Sequence, residues 1–148
     1  MKKKYVLSTL LLLVWASAAR AQRLPTAVPP PLPLKIAQMI WDSCTAIDYT
    51  FNELPISLSV DNQTTIRQNV MHIAADSPPT LDGNCKPMAR IFFAQKNKIL
   101  LDADVYFKQE CTYYLYFRHG ESTPIYANKM TQTGLDFFKN VLSQVEQK

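Results

Sequence analysis

The feature that most constrains this chain is a two-residue hydrophobic period that recurs, segment after segment, from residue 88 to residue 128. In Ile99-Leu100-Leu101-Asp102-Ala103-Asp104-Val105-Tyr106-Phe107-Lys108, one parity reads Ile, Leu, Ala, Val, Phe and the other Leu, Asp, Asp, Tyr, Lys. Side chains alternate between faces along a strand, so such a run buries one face and offers the other to solvent. Ala89, Ile91 and Phe93 alternate with Arg90 and Phe92 in the same way, and Gln95-Lys96-Asn97-Lys98 turns the chain between the two runs. A third run, Cys111 to Arg118, reads with Cys111, Tyr113, Leu115 and Phe117 inward and Thr112, Tyr114, Tyr116 and Arg118 outward. His119-Gly120-Glu121-Ser122 supplies the next turn. Thr123 to Asn128 follows as a short edge strand, because Pro124 has no N–H to give to a ladder. Together these runs predict a four-stranded antiparallel meander.

On either side of the meander the period lengthens. Ile36, Met39, Ile40, Ser43, Cys44 and Ile47 recur at spacings of three and four, which predicts a helix ended by Asn52-Glu53-Leu54-Pro55. Ile56, Leu58 and Val60 alternate with polar residues as a short strand. Asp61 or Asn62 suits the cap of a second helix, roughly 63–75, with Ile66, Val70, Ile73 and Ala74 on one face. The competing arrangement is a hairpin of 56–60 with 65–73, because Thr64, Thr65, Ile66 and Val70 are β-branched. After the meander, Thr131 or Thr133 can cap a last helix with Leu135, Phe138, Val141, Leu142 and Val145 as its apolar stripe. The expected fold is two-layer α+β: a four-stranded antiparallel β-meander with N-terminal helices and a C-terminal helix packed on one face.

The first 21 residues stand apart from this domain. Lys2, Lys3 and Lys4 precede the apolar run Tyr5 to Trp15, and Ala19-Arg20-Ala21 has the form of a cleavage site. That is the pattern of a secretory signal peptide, and the run is short for a bilayer span. Residues 22–33 carry Pro25, Pro29, Pro30, Pro31 and Pro33 and read as an extended linker. A single domain is expected over 34–148.

Export changes the charge argument. Of 16 Lys and Arg, four (Lys2, Lys3, Lys4 and Arg20) belong to the leader, whereas all 12 acidic residues lie beyond it. The mature chain is thus neutral, which argues against a nucleic-acid or anionic-membrane partner, and no second apolar stretch is long enough for insertion into a membrane after cleavage. The expected location is exported, periplasmic or extracellular, where Cys44, Cys85 and Cys111 meet oxidising conditions. Cys85 just before the first strand and Cys111 at the start of the third fall at one end of the meander, so they are the expected disulfide, with Cys44 left over on a buried helical stripe.

The residues for chemistry are few. His72 and His119 are the only histidines, and a cysteine-dependent enzyme would need one of them beside a free thiol. Cys-x-x-Cys is missing, as is close-pair metal-ligand spacing, so neither a cofactor nor a metal is expected. Gln68-Asn69-Val70-Met71-His72 is similar to the Q-x-V-x-G loop of cystatins, but His72 replaces its glycine and it precedes the meander, so protease inhibition does not carry over. The more telling feature is the outward parity of the sheet, which collects Arg90, Phe92, Tyr106, Tyr114, Tyr116, Arg118 and Tyr126 together with Asp102 and Asp104, two carboxylates that by themselves read as solvated. Aromatic and arginine side chains combine contact area with polar handles. The expectation is a non-enzymatic binding protein that meets a protein, peptide or glycan partner on this face. The alternatives are an enzyme using a free cysteine with His72 or His119, and a purely structural envelope protein.

Overall fold

Six strands, two more than the meander requires, form one antiparallel sheet in a computed structural model that describes residues 27–108 and 110–146. In chain order the elements are α1 (Leu34–Ser43), β1 (Ala46–Phe51), β2 (Ser57–Val60), α2 (Gln63–Val70), β3 (Ala89–Gln95), β4 (Lys98–Lys108), β5 (Cys111–Phe117), β6 (Tyr126–Lys129) and α3 (Gln132–Glu146). The strand order is β2-β1-β3-β4-β5-β6. The meander β3 to β6 is present, and a hairpin of β1 and β2 extends it beside β3.

The first helix ends well before the expected turn at 52–55. Cys44 is already extended, with φ −66° and ψ 128°, and Ile47 belongs to a strand. From Ile47 onward the chain carries a two-residue alternation of its own. Ile47, Tyr49 and Phe51 are buried while Asp48 and Thr50 are exposed. β-Branched and aromatic residues favour that pleated, half-buried setting over another helical turn. β2 then pairs with β1 and not with 65–73, which is helical as far as Val70. Asn62 caps α2, its Oδ1 accepting the Thr65 N–H at 3.2 Å.

α2 stops at Val70 because the following residues are used elsewhere. Ile73 bridges to Met130, the Ala74 N–H donates to the Lys129 carbonyl at 2.9 Å, and the Lys129 N–H donates to the Asp76 carbonyl at 2.8 Å. The outer side of β6 is thereby covered. The proline-rich stretch covers it too. Its described part is no free spacer: the Pro30 carbonyl accepts the Ala127 N–H at 2.9 Å, and the Leu32 N–H donates to the buried Asn128 Oδ1 at 2.8 Å. Proline lacks a donor but keeps its carbonyl, which can satisfy an edge strand's N–H groups. The signal peptide expected over 1–21 lies outside the described residues.

Both faces of the sheet are packed in part. On one face the helices cover Ile47, Tyr49, Ile91, Phe93, Leu101, Val105 and Phe107, and Phe138 of α3 stacks on Phe107 with ring centroids 4.7 Å apart. Thr131 caps α3 through Oγ1, which accepts the Gly134 N–H at 3.2 Å. The inward parity expected for β3 and β4 is the one observed.

For β5 it is the reverse. Tyr114 and Tyr116, expected to face outward, are 2% and 0% exposed and belong to the helix-side core. The cause is register. Lys108 pairs with Cys111, so Phe107 faces Thr112, Val105 faces Tyr114 and Ala103 faces Tyr116. Paired residues share a face, so the inward parity of β4 carries Tyr114 and Tyr116 inward with it. Ala103 opposite Tyr116 leaves room for the larger ring.

Candidate functional site

The face turned away from the helices carries the site. β3 contributes Arg90 and Phe92, β4 contributes Asp102, Asp104 and Tyr106, and β5 contributes Tyr113, Leu115 and Phe117. Its two halves differ in chemistry.

The half over β3 and β4 is ionic. Arg90 donates from Nη1 to Asp104 Oδ1 at 2.8 Å and from Nη2 to Asp102 Oδ2 at 3.2 Å. Its guanidinium lies 4.7 Å over the centre of the Phe117 ring, a cation–π placement that fixes its plane. His119, in the turn after β5, sets Nδ1 3.1 Å from both oxygens of Asp102, and Phe92 meets the imidazole edge-on at 6.5 Å. Asp102 and Asp104 are only 2% and 3% exposed, while the His119 side chain is 55% exposed. Burial pushes the Asp104 carboxyl up, against the opposing pull of Arg90. Asp104 Oδ2 is buried with no hydrogen-bond partner among the described residues. Two buried carboxylates beneath one arginine stabilise little relative to an apolar core. What the arrangement does provide is orientation, because Asp102 fixes both the guanidinium and the imidazole beside Phe92.

The half over β5 and β6 is aromatic and covered. Tyr106 and Tyr113 stack at 4.5 Å with Leu115, Phe117 and Ala127 around them, under Val28, Leu81 and Cys85. The cover is the connection between α2 and β3 together with Val28 of the proline-rich stretch. Cys85 in that connection and Cys111 in β5 stand at disulfide distance with Cα atoms 6.1 Å apart, the expected pair.

The seven aromatic and arginine residues expected on the outward face therefore divide. Arg90, Phe92 and Tyr106 share it, although Tyr106 is buried by the cover. Tyr114 and Tyr116 are core on the opposite side, and Tyr126 packs half-buried against the same helix-side core. Arg118 lies just past β5, exposed and 3.6 Å from Glu121. Asp102 and Asp104, which as isolated strand residues read as solvated carboxylates, belong to the site. So do Phe117 and His119. Their signal was an arginine on the same parity of the neighbouring strand, which pairs Arg90 with Asp104 and Phe92 with Asp102.

The cysteine–histidine pairs are differently placed. Cys44 is buried, its Sγ donates to the Ala46 carbonyl at 3.0 Å, and burial raises its pKa. His72 is buried with its ring 5.1 Å from that of Phe137, and burial lowers its pKa. Cys111 and His119 do not meet: the sulfur is taken by Cys85, and the imidazole sits at the other end of β5 against Asp102.

Among the described residues, no group of three or more His, Cys, Asp or Glu is placed to hold a metal ion, and no helix is long and apolar enough to cross a membrane. An apolar groove of about 560 Å³ runs between the proline strap, α1 and the end of α2, past Leu34, Ala37, Val70 and Ile73. Asn128 also lines it, but its amide is already committed to Leu32 and Ala74. Comparison with protein-family models, with curated proteins and with solved structures finds no match to this chain.

Proposed function

We propose that this is a small exported, non-enzymatic protein that binds a protein, peptide or glycan partner through the helix-free face of its sheet, around Arg90, Phe92 and His119. The observation that carries the reading is the Arg90–Asp102–His119 network. A buried carboxylate orients two polar side chains that remain partly open to solvent, beside an aromatic ring. Guanidinium N–H groups, an imidazole and an aromatic ring, held in place before binding, suit carbonyl, carboxylate or hydroxyl acceptors and lose little freedom on association.

Export is supported by the leader pattern and by the Cys85–Cys111 pair. The non-enzymatic part is supported by the burial and raised pKa of the Cys44 thiol, since the thiolate is the reactive form. The neutral mature chain supports a partner other than nucleic acid.

The test compares the mature protein with a Phe92→Ala/His119→Ala variant, checked for folding by circular dichroism, on glycan and peptide arrays and in capture from an envelope extract. A ligand held by the wild type and lost by the variant supports the reading. Equal retention by both places the site elsewhere, and retention by neither supports a structural role.

A further inference from the structure

We propose that the cleft beside the Cys85–Cys111 pair is a second binding site, for a small zwitterion of the free amino-acid class. The cleft holds about 320 Å³ between the connection that follows α2 and the near ends of β5 and β6. Small-molecule sites run from about 300 to 1,000 Å³, so this one suits a single residue and not a peptide.

Two independent features give it a chemistry. The first is Tyr113, which lines the cleft, is 4% exposed, and has a buried hydroxyl without a hydrogen-bond partner among the described residues. A buried O–H is unfavourable until an acceptor reaches it. Burial and the nearby Asp82 charge push this phenol up to about 12, so it remains a donor at neutral pH.

The second feature is charge. Asp82 and Glu110 lie on the cleft with Lys129, and none of the three forms an ion pair among the described residues. Carboxylates and an ammonium in one cleft, uncommitted to each other, are complementary to a ligand that carries both signs.

The charged wall of the cleft is preformed, whereas the Tyr113 hydroxyl is closed off until the ligand carboxylate displaces what covers it. Lys129 pairs directly with Tyr113 across β5 and β6, and Asp82 is fixed by the Asn84 N–H, which donates to its Oδ1 at 2.8 Å. The Cys85–Cys111 pair ties the two walls together. In the bound arrangement the ligand ammonium lies against Asp82 and Glu110. Its carboxylate accepts from Lys129 Nζ and from the Tyr113 hydroxyl.

Titration calorimetry on the oxidised mature chain tests this with leucine, glutamine, tyrosine and lysine, each beside its N-acetyl and carboxamide derivatives. At least one free amino acid binds, and both of its derivatives bind at least about tenfold more weakly, the loss of one charge-assisted contact. Tyr113→Phe, which removes only the unpartnered hydroxyl, weakens the same ligand about tenfold, as does Lys129→Gln at its exposed position. The Phe92→Ala/His119→Ala variant binds it unchanged, so this site and the Arg90 face stand or fall separately. Absence of binding by all four free amino acids overturns the proposal, as does equal binding of the free and derivatised forms.

Discussion

Removing one hydroxyl from the core is expected to have opposite effects at two tyrosines. Tyr116 is fully buried and its hydroxyl has no hydrogen-bond partner among the described residues. Tyr49 is also buried, but its hydroxyl donates to Asn69 Oδ1 at 2.6 Å. A buried polar group without a partner costs roughly 1–3 kcal/mol. Tyr116→Phe removes that penalty and should stabilise the fold by about 1 kcal/mol, discounted for relaxation around the ring. Tyr49→Phe creates a penalty by stranding the Asn69 oxygen, whose Nδ2 is already bound to the Thr65 carbonyl. It should destabilise by about 1–3 kcal/mol. Urea unfolding followed by circular dichroism reads both, provided the slope with denaturant is unchanged. Tyr116→Ala adds the orientation: a core ring should lose about 3–5 kcal/mol, whereas a solvent-facing ring would lose almost nothing. If Tyr116→Phe destabilised as much as Tyr49→Phe, the hydroxyl would have a partner and the accounting of this core would be wrong.

Gly134→Ala should destabilise by about 1–3 kcal/mol although alanine is the better helix former, because its Cβ would meet His72 Cβ at 2.8 Å and the His72 carbonyl at 3.1 Å; a raised melting temperature would contradict this. Replacing Cys85 and Cys111 by serine opens a loop with a sequence separation of 26, which corresponds to about 3.5 kcal/mol in the chain-entropy estimate. The same variant should bind a hydrophobic dye as the cover lifts from Tyr106 and Tyr113, and an unchanged dye signal would mean that packing alone holds it. His72 supplies a pH dependence, because burial lowers its pKa below the ordinary 6.5. Its contribution is complete above 6.5, where it is neutral in both states, and is lost as pH falls through the lower folded value, because the unfolded chain takes up the proton first. The urea midpoint should therefore drop on acidification below 6.5, with a shallower drop in His72→Gln; parallel profiles would assign the slope to other groups.

The parts of this fold that local pattern fixes were legible in the chain. Period-two alternation located β3 and β4 together with their inward faces, the pairs Asp61/Asn62 and Thr131/Thr133 marked two helix starts of which the structure uses Asn62 and Thr131, and the Cys85–Cys111 pairing followed from the ends of the meander. The Ile47, Tyr49, Phe51 alternation was equally local, but Ile47 also continued the helical spacing of α1, and two periods overlap at that residue.

Other features were not local. Both parities of β5 carry large side chains, so its composition does not choose a face. Residues 109–110 alone separate the paired Lys108 and Cys111, and that short hairpin decides the matter. One residue more would have turned Tyr114 and Tyr116 outward. Likewise, no single strand shows that Asp102 and Asp104 share Arg90, because a carboxylate on one strand becomes an ion pair only when the register sets its partner opposite. Tertiary pairing likewise turned proline-rich residues 28–33 into a strap, since the Ala127 N–H of β6 needed an acceptor and the Pro30 carbonyl could supply it. The sequence by itself determined the periods, the caps and the cysteines, because these depend on neighbours along the chain. Only the tertiary structure decided which face each β5 side chain occupies and which charges meet, because those depend on strands brought together by turns.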